Sequence, residues 1–65
     1  NINRNILLKD MPNYVSALKS NGSLFLSGFF LKDFEIIKHS ASNFGIINIQ
    51  HNTYDNWVTA QFLKQ

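Results

Sequence analysis

Apolar residues recur at helical spacing in the first third of the chain. The stripe consists of Leu7, Met11, Tyr14, Val15 and Leu18. A helix over residues 6–20 places all of these side chains on one face. Pro12 lacks a backbone donor and its ring clashes with an earlier carbonyl, so a kink or a restart is predicted there, with Asp10 available as a cap. Asn21 and Gly22 end the helix, and Gly22 is free to take the left-handed conformation.

An almost unbroken apolar run follows directly, with the sequence SLFLSGFF over Ser23–Phe30. Runs of this kind are typical of strands that are covered on both faces, as in a parallel sheet flanked by helices. A chain of 65 residues has little material with which to cover both faces of a sheet. The run therefore predicts a strand shaped for the middle of a larger sheet.

The rest of the chain predicts a second helix and a hairpin. The helical stripe consists of Phe30, Phe34, Ile37, Ala41 and Phe44, and Gly45 closes the helix. Residues 46–52 and 57–63 are β-rich, and residues 53–56 have turn chemistry. Strands joined by so short a connection are antiparallel. The predicted fold class is α/β, in the order helix, strand, helix, strand, strand.

Composition and charge narrow the function classes. A hydrophobic content of 45% argues against disorder, and no apolar stretch approaches the roughly 18 residues that span a membrane. The chain has no Cys, and His39 and His51 have no spacing suited to a metal, so both are expected on the surface. The net charge is +2, but the basic residues are scattered. We therefore expect neither a metal nor direct nucleic-acid binding.

Several segments together resemble a known family. They are Asn1-Ile2, Gly22 with the LFLSG sequence that ends at Gly28, then Gly45 and Trp57-Val58. Through these segments, the chain resembles the C-terminal part of a class I S-adenosylmethionine-dependent methyltransferase. The type that it resembles most is the PrmA type, which methylates a bacterial large-subunit ribosomal protein. Residues 1–65 then form a single partial domain of the catalytic unit, and the full-length parent is expected in the cytoplasm.

The resemblance implies a Rossmann-like sheet in which the last strand lies antiparallel between its two predecessors in the chain. The Ser23–Phe30 strand is then central in the parent and an edge here. The family's Gly-rich cofactor loop, its acidic ribose-binding residue and its substrate-recognition domain would lie upstream of Asn1. S-adenosylmethionine is therefore the cofactor of the parent, and the isolated chain is expected to be inactive.

The resemblance also implies site residues. Asn1 matches the residue at the exit of the fourth strand, where an amide side chain can contact the cofactor or the incoming amine. Ser27 and Gly28 match the carboxyl edge of the fifth strand and are predicted to bind substrate. The structural alternatives are a frayed terminus for Asn1 and a simple turn for Ser27 and Gly28. No catalytic side chain is predicted within the chain.

Two aromatic residues have a structural and a functional interpretation. Phe30 can form an aromatic wall with Phe29, but the helical stripe predicts it in the core. Trp57 can bind a ligand, but a Trp that opens a strand is predicted to pack against a neighbouring helix. Two other functions stay open for the whole chain. It can be a free-standing α/β interaction module, or a small RNA-binding domain, which only the basic pI of about 9.2 suggests.

Overall fold

Two helices pack on one face of a three-stranded sheet in the computed structural model, which describes residues 4–65. In chain order the elements are α1 (Arg4–Ala17), β1 (Ser23–Phe30), a 3-10 turn (Leu31–Asp33), α2 (Phe34–Asn43), β2 (Ile46–Tyr54) and β3 (Trp57–Lys64). The predicted order of helices and strands is confirmed, and β1 has the predicted bounds.

The sheet has the strand order β1-β3-β2. β3 pairs antiparallel with both neighbours, so β1 and β2 run parallel to each other without touching. Both strands end opposite the same residue, because Phe30 and Tyr54 are partners of Trp57. The predicted insertion of the last strand between its two predecessors is confirmed. β1 is an edge strand among the described residues, as the sequence predicted.

α1 differs from its prediction at Pro12 and at its end. The helix runs through Pro12 without a restart, so Asp10 caps nothing there, and it stops at Ala17. Asn21 has the left-handed φ of 67°, whereas Gly22 does not take the conformation that was predicted for it. A Cβ at Gly22 would lie 2.8 Å from the Lys19 carbonyl oxygen. Glycine is therefore needed here for a close backbone approach.

Packing explains why the helix survives Pro12. The side chains of Leu7, Met11 and Val15 lie in the core on both sides of the proline, and Pro12 itself is exposed. Most helical stability in proteins comes from packing of one apolar face. The continuous buried stripe therefore outweighs the missing backbone hydrogen bond.

α2 starts later than its periodicity predicted. Phe34, Ile37 and Ala41 are buried as expected, and Gly45 takes the predicted left-handed conformation with φ of 89°. Phe30 and Phe44, the two ends of the predicted stripe, are exposed. Phe30 belongs to β1, because the 3-10 turn separates it from the helix.

The hairpin between β2 and β3 is tighter than predicted. Only Asp55 and Asn56 connect the strands, and both have positive φ, of 46° and 68°. Two-residue loops with positive φ at both positions match the twist of the flanking strands, and Asp and Asn tolerate that conformation better than most residues. Thr53 and Tyr54, which were predicted in the turn, therefore continue β2.

The core lies between the helices and the inner face of the sheet. Its buried apolar side chains are Leu7, Met11, Val15, Leu26, Phe29, Phe34, Ile37, Ala41, Ile46, Val58, Ala60 and Phe62. β3 contributes alternate residues, as a half-buried strand does. In β2 only Ile46 is buried, so the core is centred on β1, β3 and the helices.

Lys64 joins the last strand to the first helix. Its Nζ donates hydrogen bonds to the carbonyl oxygens of Val15, at 2.9 Å, and Leu18, at 2.7 Å. The last carbonyls of a helix lack partners within the helix, and a cation there also interacts favourably with the helix dipole. Lys64 therefore caps the C-terminal end of α1 over a long sequence separation.

We expect Lys64→Ala to lower the free energy of unfolding by about 1–3 kcal/mol, because hydrogen bonds to a charged donor are lost. Chemical denaturation of the chain measures this change. Lys19→Ala is the matched control, since Lys19 is an exposed lysine in the segment that follows α1. Equal effects of the two substitutions would contradict a capping role for Lys64.

Candidate functional site

Ser27 and Gly28 lie at a β-bulge in the second half of β1, ahead of the strand's end at Phe30. The pairing with β3 shifts between Ser27 and Phe29, and Gly28 has φ of 84°. Ser27 is exposed and Gly28 is half-buried. An extra residue with positive φ is a usual form of a bulge in an antiparallel pair. The structure therefore places both predicted residues at the bulge. The positive φ of Gly28 explains why this position is a glycine.

The bulge decides which way the two following aromatic side chains point. Side chains alternate between the faces of a strand, and one inserted residue reverses that alternation. Phe29 pairs with Val58 and is buried in the core, whereas Phe30 pairs with Trp57 and is 44% exposed on the outer face. The prediction that Phe30 lies in the core was therefore wrong, since the bulge puts Phe29 there.

Phe30 and Trp57 form a stacked pair on the outer face of the sheet. Their ring centroids are 4.4 Å apart and the rings are inclined by 26°. Trp57 was predicted to pack against a helix, and this prediction was wrong. Trp57 lies on the face of the sheet opposite the core, with 37% of its surface exposed. Stacking of this kind stabilises an aromatic pair beyond its buried area.

A cleft of about 600 Å³ lies beside this pair. It is lined by Phe30, Leu31, Lys32, Asp55 and Asn56. The Leu31 backbone N–H donates to the Asn56 carbonyl oxygen at 2.7 Å, which fixes the hairpin turn against the end of β1. The Lys32 Nζ lies 5.7 Å from the centre of the Phe30 ring. Lys32 and Asp55 carry opposite charges and line the cleft together with the aromatic ring of Phe30.

The location of the cleft makes it a candidate binding site. β1 and β2 run parallel, so their carboxyl ends meet at one edge of the sheet, and the cleft lies at that edge. Ligands of open α/β sheets bind outside the carboxyl ends of the strands. Ser27 and Gly28 were predicted near this edge, whereas Lys32, Asp55 and Asn56 were not. The turn chemistry of residues 53–56 was the one signal that pointed to the hairpin side.

Asn1 lies outside the residues that the structure describes. Its predicted contact with the cofactor stays a prediction, and the substrate contacts of Ser27 and Gly28 stay predictions as well. His39 and His51 are both exposed, as predicted. In residues 4–65, no three His, Asp or Glu side chains are grouped so that they could hold a metal ion. None of the helices described is long and apolar enough to cross a bilayer.

Comparison with known proteins shows that the chain is similar to methyltransferases over its whole length. More specifically, its relatives are ribosomal protein L11 methyltransferases. It is 36% identical to that of Phocaeicola vulgatus over 65 residues, which is 100% of this chain. It is 38% identical to that of Bacteroides fragilis over 63 residues and 42% identical to that of Porphyromonas gingivalis over 62. The predicted resemblance to the PrmA type is confirmed.

The chain spans only about a fifth of the length of these relatives. It covers 23% of the Phocaeicola vulgatus protein and 21% of the Porphyromonas gingivalis protein, at their C-terminal part. No protein-family model matches the chain. The similarity therefore identifies a segment, and the activity of a whole protein is a separate question.

We expect Gly28→Ala to lower the free energy of unfolding by about 1–2 kcal/mol, because a Cβ is disfavoured at positive φ. Ser27→Ala is the control, since Ser27 is exposed next to the bulge, and its effect should stay within about 0.5 kcal/mol. Chemical denaturation of both variants provides the comparison. A Gly28→Ala variant as stable as the unsubstituted chain would show that the bulge does not need glycine.

Proposed function

We propose that the chain is the C-terminal part of the catalytic domain of an S-adenosylmethionine-dependent protein methyltransferase. Its full-length parent methylates amino groups of the large-subunit ribosomal protein L11 in the cytoplasm. The observation that carries this proposal is the similarity of the entire chain to ribosomal protein L11 methyltransferases at 36–42% identity. In this parent, the chain completes a Rossmann-like sheet.

The open outer face of the sheet supports a role as part of a larger domain. Five large apolar side chains on this face are 37–79% exposed: Phe25, Phe30, Ile47, Tyr54 and Trp57. Exposed apolar surface of this kind marks a contact surface in a soluble protein. Among residues 4–65, one edge of β1 has no strand partner, so another strand can pair with its backbone groups. Both features fit a sheet that continues beyond β1 and is covered on its second face.

The described residues do not by themselves form a nucleotide cradle. Gly22, Gly28 and Gly45 lie in three separate places, at a close backbone approach, a bulge and a helix end. A Gly-rich phosphate or adenosyl loop needs glycines within one short turn. We therefore assign the cofactor contacts of the parent to Asn1 and to residues outside this chain.

The residues at the carboxyl edge of the sheet would bind the amine that accepts the methyl group. Methyl transfer is an in-line displacement, in which the cofactor supplies the methyl group and the protein positions the amine and lets its proton leave. Ser27 and Gly28 lie on the strand that leads to this edge, and Asn1 precedes the helix that starts there. Ser27 and Gly28 bind and orient the acceptor, Asn1 contacts the cofactor beside it, and none of them has to act as a nucleophile.

A second candidate function is that of a free-standing interaction module. The observation in its favour is the same open apolar face, because a partner protein can cover it as well as a neighbouring part of the same chain. The two functions differ in what the protein that contains this chain binds. An enzyme binds S-adenosylmethionine, whereas an interaction module does not.

We expect the isolated chain to show no saturable binding of S-adenosylmethionine in calorimetric titration, and the full-length protein to bind it. The reason is that residues outside the chain supply most of the cofactor contacts. Methylation of purified ribosomal protein L11 by the full-length protein is the second measurement. Micromolar binding by the isolated chain would contradict the division of the site. A full-length protein that binds no cofactor would favour the interaction module.

We expect Asn1→Ala in the full-length enzyme to weaken cofactor affinity or turnover by about tenfold to a hundredfold. One polar contact is lost and its partner is left unsatisfied, which costs about 1–3 kcal/mol. Asn13→Ala is the matched control, because Asn13 is an exposed asparagine within α1. Methylation kinetics of both variants are measured with ribosomal protein L11. Unchanged kinetics for Asn1→Ala would remove Asn1 from the site.

A further inference from the structure

The cleft at the carboxyl edge of the sheet carries two opposite charges that are not paired with each other. Lys32 and Asp55 line it together with Phe30, Leu31 and Asn56, and all five side chains are exposed. Neither Lys32 nor Asp55 belongs to an ion pair within residues 4–65. The negative charge of Asp55 is therefore available to a partner.

The hairpin turn explains the conformation of Asp55 but not its charge. Asp55 has a positive φ of 46°, which Asp and Asn tolerate better than most residues. Asn56, the second residue of the turn, also has a positive φ, of 68°, with an uncharged side chain. The Leu31 N–H fixes this turn beside the end of β1 through the Asn56 carbonyl oxygen at 2.7 Å. The turn thus holds a carboxylate in a defined place at the cleft.

Lys32 shows that the ring of Phe30 accepts an alkylammonium group. Trp57 stacks on this ring with a centroid distance of 4.4 Å, and the Lys32 Nζ lies over the ring at 5.7 Å from its centre. A cation within about 6 Å of an aromatic ring is attracted by the negative face of the ring. Lys32 is an exposed side chain, so another ammonium group can take its place. A lysine of a second protein presents the same group.

We propose that this cleft binds a lysine side chain of the acceptor protein. The aliphatic stem of that lysine packs on Phe30, and its ammonium group is held by the carboxylate of Asp55. Lys32 occupies the ring while the acceptor is absent and moves aside when the acceptor binds. The inference rests on the proposed function, because it takes the partner to be the protein that is methylated.

The chemistry of the cleft indicates a docking lysine and not the amine that is methylated. An amine attacks a methyl group only when it is neutral, so its proton must leave first. A carboxylate and an aromatic face both favour the charged form of an amine and raise its pKa. The cleft is therefore suited to a lysine that stays protonated while a neighbouring amine reacts. Phe30 and Asp55 thus determine specificity for the acceptor without touching the transferred methyl group.

The test uses the full-length enzyme and measures KM and kcat for ribosomal protein L11, with the Kd for S-adenosylmethionine from calorimetry. Asp55→Asn keeps a residue that suits the turn and removes only the charge, so KM should rise about threefold to fivefold. Phe30→Leu removes the aromatic face, and KM should rise about threefold. Lys32→Met removes the competing ammonium group, so KM should fall. In all three variants kcat and the Kd for the cofactor should stay unchanged.

Glu35 and Lys38 provide the matched control. The Lys38 Nζ lies 5.1 Å from the centre of the Phe34 ring and pairs with Glu35 at 3.2 Å, so this group also combines a lysine, a carboxylate and a ring. Phe34 is buried, however, and offers no ring surface to a partner. Glu35→Gln and Lys38→Met repeat the charge changes of Asp55→Asn and Lys32→Met away from the cleft. Exposed charges at a distance are screened, so KM should change by less than about twofold.

A small cation tests the cleft without methylation. n-Butylammonium has the chemistry of a lysine side chain, and n-butanol is its neutral counterpart. In NMR titrations of the full-length protein, n-butylammonium should shift the backbone amide signals of Lys32, Asp55 and Asn56 until they saturate, whereas n-butanol should not. Asp55→Asn should abolish the saturable shift.

Several outcomes would overturn the inference. An unchanged KM in Asp55→Asn, or an equal rise in Glu35→Gln, removes the docking role of Asp55. A lower kcat or a shifted pH–rate profile in Asp55→Asn means that the cleft holds the reacting amine instead. The absence of a saturable shift with n-butylammonium removes the cation site. If Phe30→Leu does not fold, Asp55→Asn and Lys32→Met decide by the opposite signs of their effects on KM.

Failure of the proposed function is a separate result. An unsubstituted full-length protein that does not methylate ribosomal protein L11 overturns that function and the identity of the partner with it. The cation site at Phe30 and Asp55 is then decided by the n-butylammonium titration alone.

Discussion

The insertion of β3 between β1 and β2 is the constraint on which the rest of this structure depends. Because β3 is antiparallel to both neighbours, β1 and β2 become parallel and end at the same edge. That edge then receives the stacked pair of Phe30 and Trp57, the hairpin turn and the 3-10 turn that leads into α2. A simple meander in chain order would place the ends of β1 and β2 differently and would separate these groups.

Local patterns predicted the elements well where only one secondary structure fits the pattern. The Ser23–Phe30 strand has the predicted bounds, and the hairpin needed only a tighter turn. The prediction for Phe30 was wrong because two structures fit this residue. Its spacing from Phe34 fits a helix, and its position also fits the end of a strand. The bulge at Gly28 resolves this ambiguity, and a bulge depends on pairing with β3, which no local pattern shows. The effect of Pro12 on the helix was overestimated for a similar reason, since the packing of α1 against the core is a tertiary effect.

The candidate site was predictable only in part. Ser27 and Gly28 were placed near the carboxyl edge by resemblance, and the turn chemistry of residues 53–56 located the hairpin. Arg4 and Asp33 gave no signal, because their pairing spans 29 positions and depends on how α1 meets α2. The capping role of Lys64 was hidden in the same way, since its acceptors belong to the first helix. Long-range polar contacts of single residues leave no periodicity in a sequence.

The residues that follow Gly28 connect the core to both sides of the candidate site. Phe29 anchors this segment in the core, and the Leu31 backbone holds the hairpin turn through Asn56. Asp33 holds the start of α1 through Arg4 on the other side. The segment from the bulge to α2 is thus fixed by three unrelated contacts, one apolar, one between backbones and one ionic. A site assembled at this edge therefore has its two flanks positioned by the same few residues, so a change in the bulge register would displace both flanks together.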